Sequence, residues 1–147
     1  MGLFDAIIDL IFPQKKYGTP GTTKNGIQVR SHAEQRIADY FEKVGLRYEY
    51  ERELTARFLF FKFKISRPDF YLPDYDVYVE YWGLLDAKDA DDRKKYERSM
   101  KYKMARYHEL GVKFISLYPR DLPNLNANFR EKFTQATGKD LPPTKFN

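Results

Sequence analysis

The chain has 147 residues, enough for one domain with a real core, since a domain of this size buries about 68–70% of its unfolded surface. Hydrophobic residues at 42% and aromatics at 17% exclude a disordered composition, and the lack of cysteine excludes disulfides and thiolate metal sites and favours an intracellular, cytoplasmic setting. A net charge of +5 is too mild to identify a partner by itself, so the placement of the charge carries the information.

Residues 1–12 read as an N-terminal amphipathic helix, with Leu3, Phe4, Ile7, Ile8, Ile11 and Phe12 at helical spacing and Pro13 ending it. Its apolar face is expected to dock on the core, to pair with a second copy in a homodimer, or to touch a membrane surface, in that order. No segment reaches the ~18 uninterrupted apolar residues of a bilayer span, so no membrane partner is expected. Residues 13–29 hold Pro13, Gly18, Pro20, Gly21 and Gly26 and read as a basic loop without an acid. A long basic loop in a compact domain is unusual and often functional.

Ser31 is a good N-cap and Glu34 completes a capping box, so a helix opens there and Gly45 closes it. Ala33, Ile37, Ala38, Phe41 and Val44 form its expected buried stripe. Strands are expected at about 47–52 and 57–66, the second being rich in β-formers. The hairpin 69–82 follows, then a polar stretch, then a long helix over about 91–110 ended by Gly111. Its window Asp91–Arg106 holds seven Lys or Arg against three acids, a local +4 suited to a polyanion or to a solvated face. An apolar strand over 112–118 and a last helix over 126–134 complete a single domain over 1–147. The order α-α-β-β-β-α-β-α predicts an α/β fold. It has a mixed sheet, an antiparallel meander plus one parallel strand, flanked by helices.

The chemistry concentrates in the hairpin. If Pro73–Asp76 form a four-residue loop, Leu72 pairs with Val77, Phe70 with Val79, and Asp69 lies opposite Glu80. Directly opposed residues hold their Cβ atoms about 5 Å apart, and like charges there destabilise the pair. A cation between them converts that penalty into a binding site, and oxygen ligands suit Mg²⁺ or Mn²⁺. The plain alternative is a turn-capping Asp69 and an exposed Glu80, although Glu80 sits among Val79, Tyr81 and Trp82. The capping box accounts for Glu34 without chemistry, yet its helical face is shared with Ile37, Ala38 and Phe41, which turns it inward as a third ligand or a water-positioning group. Phosphodiester hydrolysis also needs a positive group. On the long helix Tyr96, Met100, Lys103, Met104, Tyr107 and Leu110 share one stripe at about 100° per residue, and Lys103 is the lysine in its middle. Such a lysine either snorkels or is aimed at something. Arg67 suits a phosphate, and Trp82 suits either stacking on an unpaired base or core packing. Neither His32 nor His108 has a partner at metal-ligand spacing. There is no glycine-rich phosphate loop, so no nucleotide cofactor is expected.

Arg67-Pro68-Asp69-Phe70, with ten residues between Asp69 and Glu80, resembles the signature of the PD-(D/E)XK nuclease superfamily, whose fold is the restriction-endonuclease-like core. The resemblance covers about residues 30–120 and is closest to the small nuclease domains attached to some helicases. There a helix glutamate precedes the hairpin, a segment like Glu80-Tyr81-Trp82-Gly83 follows, and the lysine sits on the next helix. The resemblance implies a Mg²⁺-dependent deoxyribonuclease, with Asp69 and Glu80 as metal ligands, Glu34 as the helix acid and Lys103 as the migrated lysine. Trp82 occupies the place of the usual strand lysine. The rival readings are a nucleic-acid-binding protein of the same fold without catalysis, and an interaction module that docks on a helicase or other partner through residues 3–12.

Overall fold

The computed structural model describes residues 19–86 and 88–144. The expected helix over 1–12, the homodimer contact assigned to it and residues 13–18 of the expected loop lie outside the described residues. The remainder of that loop is a small antiparallel hairpin, β1 (Gly21–Thr22) with β2 (Gln28–Val29). Thr23 closes its turn, donating its N–H to the Ile27 carbonyl at 2.9 Å and accepting the Ile27 N–H on Oγ1 at 3.1 Å. A bonded turn replaces the open loop because Thr23 supplies those bonds and Gly26 takes a left-handed φ of 84°.

Helix α1 (His32–Val44) begins and ends where the sequence places it. Ser31 Oγ accepts the Glu34 N–H at 3.2 Å, and Gly45 at φ 75° donates its N–H to the Glu42 and Phe41 carbonyls. Ile37, Ala38 and Phe41 are buried, as the periodicity predicts.

A four-stranded sheet carries the molecule, in the order β3 (Glu49–Tyr50), β6 (Phe70–Leu72), β7 (Val77–Tyr81), β8 (Phe114–Leu117). The β6–β7 register pairs Leu72 with Val77 and Phe70 with Val79, the pairing a four-residue loop dictates. Strand β8 returns parallel to β7 after helix α2 (Ala90–Glu109), so the sheet is mixed, with helices against it. Helix α3 (Leu125–Thr137) is capped by Gly138 at φ 69°, and Leu141 beyond it still belongs to the core.

Two strand expectations are corrected. Residues 47–52 contract to the two-residue β3. Residues 57–66 are a turn and parts of two strands, β4 (Leu54–Phe58) and β5 (Phe61–Ser66), which among the described residues pair only with each other. The expected meander therefore skips this segment, and β3 lies directly beside β6. The turn was hidden because Leu59-Phe60 carries no turn residue; Leu59 takes φ 55° without being glycine.

Alternation along β6 and β7 divides the core. Phe70, Leu72, Val77 and Val79 face one way, against Phe41, Phe129 and Phe133. Tyr71 and Tyr78 face the other way, where Leu54 and Tyr107 meet them.

Candidate functional site

Glu80 shares the Tyr78 face of β7 by the same two-residue period. Strand β7 lies between β6 and β8, so the carboxylate is enclosed, at 0% exposure. Asp69 immediately precedes β6, and the observed register continued by one residue sets it across from Glu80. It is 1% exposed. Its Oδ2 accepts the Tyr81 N–H at 2.6 Å and its carbonyl accepts the Glu51 N–H at 2.8 Å, so Asp69 ties the ends of β3, β6 and β7 together.

Helix α2 covers this face and supplies the partners of Glu80. Lys103 Nζ lies 3.4 Å from Glu80 Oε1, and the Tyr107 hydroxyl donates to the same oxygen at 2.8 Å. The two side chains are four residues apart, which places them one turn from each other on one helical face. Tyr107 also meets Ser66 Oγ at 2.7 Å. Because the hydroxyl hydrogen of Tyr107 is engaged in its bond to the carboxylate, Ser66 is the donor in that second bond. Burial pushes the Tyr107 phenol far above its ordinary value, the charge of Glu80 adds to the rise, and Asp69 contributes in the same direction; the Ser66 hydrogen bond opposes them. Tyr107 is thus a fixed neutral donor. The chain Ser66–Tyr107–Glu80–Lys103 joins the end of β5, the centre of the sheet and the long helix.

Glu34 is buried on α1 and held elsewhere. Its Oε2 accepts the Arg30 N–H at 3.3 Å and the Tyr50 hydroxyl at 2.5 Å. Burial, followed by the Glu34 hydrogen bond, raises the Tyr50 phenol well above its usual range. The carboxylate therefore turns inward as its helical face predicts. Tyr50 pairs with Phe70, the neighbour of Asp69, so Glu34 braces the same strand end. Among the described residues no group of three or more His, Asp or Glu side chains is disposed to hold a metal ion. Asp69 and Glu80 are the two carboxylates that could flank one, a number that suits magnesium completed by water and phosphate.

Arg67 is half-buried, with Nη2 at 2.9 Å from Glu53 Oε1, and Lys64 shares that carboxylate at 3.5 Å. The Arg67 hydrogen bond, then the Lys64 charge, hold the Glu53 carboxyl below its usual value. Trp82 is not exposed for base stacking; at 2% exposure it packs edge-on against Tyr96, with Lys103 Nζ 5.7 Å from its ring centre. The cause is tertiary: its N–H bonds to the Leu117 carbonyl at 2.8 Å, and the chain turns at once into the 3-10 helix Gly83–Asp86 beneath α2. Its indole N–H is buried without a hydrogen-bond partner among the described residues. Leu110, expected on the α2 stripe, is exposed because it forms the helix C-cap.

Tyr107 and Ser66 were not foreseen as site residues. The signal for Tyr107 was its place one turn beyond Lys103 on the same stripe. Ser66 gave none, because its partner lies 41 residues away.

No family model, no curated protein and no solved structure matches the chain.

Proposed function

We propose that the chain is a Mg²⁺- or Mn²⁺-dependent nuclease that hydrolyses DNA phosphodiester bonds on a restriction-endonuclease-like core. The observation that carries this reading is the Asp69–Glu80 carboxylate pair at adjoining register positions, with Lys103 Nζ 3.4 Å from Glu80. Two carboxylates, one lysine and a mixed sheet form a consistent set for phosphoryl chemistry.

Asp69 and Glu80 would hold the ion, which supplies Lewis acidity toward the phosphate and a lowered pKa for bound water. Tyr107, kept neutral, fixes the Glu80 carboxylate by its hydrogen bond. Lys103 orients the attacking water or stabilises the charge that develops on phosphorus-bound oxygen. Glu34 acts through Tyr50 on the strand end that carries Asp69 and is a positioning residue. Arg67 offers a guanidinium to a flanking phosphate in exchange for Glu53.

A second reading, a nucleic-acid-binding protein of this fold without catalysis, is favoured by two observations. Both carboxylates are buried and bonded within the chain, and Trp82 fills the place of the strand lysine. Linear, branched and single-stranded DNA incubated with Mg²⁺, Mn²⁺ or EDTA separates the two. Metal-dependent cleavage that disappears in Asp69→Ala and Glu80→Ala supports the nuclease; cleavage unchanged in both variants overturns it. Shifted bands without cleavage under any metal establish the binder.

A further inference from the structure

We infer that the β4–β5 ribbon is a DNA-engaging arm whose apolar tip recognises unpaired or splayed bases a few nucleotides from the carboxylate pair. The inference rests on the nucleic-acid reading above and names the class of DNA. Three observations carry it.

The first is exposure. Phe60 is 100% exposed, Leu59 76% and Phe61 63%, three adjacent large apolar side chains at the end of a two-stranded ribbon. Monomeric proteins rarely leave contiguous apolar patches in water without a partner. The turn is also built from unfavourable residues: Leu59 holds φ 55°, where Asn or Gly is expected. Both the exposure and the backbone conformation disfavour this sequence for folding alone, and an outlier of this kind points to use.

The second is charge. Arg57 pairs directly with Lys62 across the ribbon, so two exposed like charges stand on one face. Among the described residues neither carries an ion pair. No acid occurs from Leu54 to Pro68; of the four cations there, Lys64 and Arg67 are paired with Glu53, and Arg57 and Lys62 are the two turned to a phosphate. Opposed cations beside an apolar tip match a phosphate backbone beside base faces, which aromatic side chains stack on without regard to sequence.

The third is continuity with the site. Strand β5 ends at Ser66, which bonds Tyr107, and Asp69 follows three residues on. Phe63 and Ile65 continue the apolar side of the ribbon, and Ile65 packs against the Tyr107 cluster. Five residues from Phe61 to Ser66 span about 17 Å at ~3.3 Å each. At 3.4 Å per nucleotide the tip would meet DNA about five nucleotides from the phosphate at Asp69 and Glu80. A junction between duplex and single strand presents a backbone and unstacked bases over that distance.

The test measures binding in EDTA, so that cleavage plays no part. A forked duplex carrying 2-aminopurine at the junction and a blunt duplex of the same length are titrated with the full chain. The variants are the tip triple Leu59→Asn/Phe60→Gly/Phe61→Thr, the single Phe60→Ser, and Arg57→Ser/Lys62→Ser. The wild-type chain should bind the fork with a rise in 2-aminopurine fluorescence. The tip triple should lose that rise and bind the fork at least tenfold more weakly, with blunt-duplex affinity within twofold of wild type. Phe60→Ser should move the same way, and the charge variant should weaken both DNAs. Retained duplex binding shows that a variant is folded. Fork binding and fluorescence unchanged in both tip variants overturn the inference. It is also overturned if the wild-type chain ignores DNA but sediments with phosphatidylserine vesicles, or self-associates through the tip. Mg²⁺-dependent cleavage is scored separately: fork binding lost with the tip in a chain that never cleaves removes the nuclease reading and leaves the arm, whereas cleavage with an indifferent tip does the reverse.

Discussion

The two faces of the β6–β7 hairpin are drawn from alternate residues of the same short strands, and they differ in kind. One face is entirely apolar: Phe70, Leu72, Val77 and Val79 meet Phe41, Phe129 and Phe133, with ring contacts such as Phe41–Phe70 at 5.3 Å and Phe41–Phe129 at 5.1 Å. The other carries Asp69, Tyr71, Tyr78 and Glu80 under a helix whose lysine and tyrosine both reach one carboxylate oxygen. The first face gains from every methylene removed from water. The second contains buried charge that is tolerable only because it is paired and hydrogen-bonded. Stability should therefore reside on the first face and chemistry on the second.

The largest test of that division is Phe41→Ala. It should destabilise the protein by about 3–5 kcal/mol, read as a lower urea midpoint, because it empties the centre of the aromatic cluster. A loss under 1 kcal/mol would mean that the apolar face does not carry the fold. Glu80→Gln should act on the chemistry: on the nuclease reading proposed above, Mg²⁺-dependent DNA cleavage falls about 100- to 1,000-fold, the scale of a lost electrostatic contact in the transition state, while the loss of the charge facing Lys103 also lowers the urea midpoint. Wild-type cleavage by this variant would remove Glu80 from the chemistry. Tyr107→Phe keeps its ring against Phe114 and removes the hydroxyl between Ser66 and Glu80. The expected loss is about 1–2 kcal/mol, the effect of unsatisfying one buried acceptor. An unchanged midpoint would show that the hydroxyl is replaced by water.

The last effect appears only at alkaline pH. Folding raises the Tyr107 pKa, so above the ordinary phenol value of about 10 the unfolded chain loses its proton while the folded one keeps it. The contribution of Tyr107 should be fully present below pH 10 and should be lost as the pH rises past it, by about 1.4 kcal/mol per pH unit for a single such group. Phe substituted at 107 removes that share of the decline. Equal slopes in wild type and Tyr107→Phe would show that Tyr107 is not linked to folding.

Much of this arrangement is legible locally. Ser31 and Gly45 mark α1, and the spacing of Ile37, Ala38 and Phe41 gives its buried face. A four-residue loop between two apolar runs fixes the Leu72–Val77 register, because a slip of one residue would turn every apolar side chain to the other face. Helical periodicity selects Lys103 among the lysines of α2. Elsewhere local signals mislead. The run from Arg57 to Ser66 stays apolar through its turn and carries no glycine, so it reads as one strand. Trp82 reads equally as a stacking platform or as core, and the packing of α2 decides for core.

The sequence by itself determined the alternation of the hairpin, the two caps of α1 and the pairing of apolar residues with apolar ones, because turns, caps and periodicity act over a few residues. Only the tertiary structure decided that Lys103 and Tyr107 share one oxygen of Glu80, that Ser66 completes the chain and that Glu34 is held by Tyr50. These contacts span from 16 to 41 residues, and nothing in a local pattern fixes how a helix is laid across a sheet.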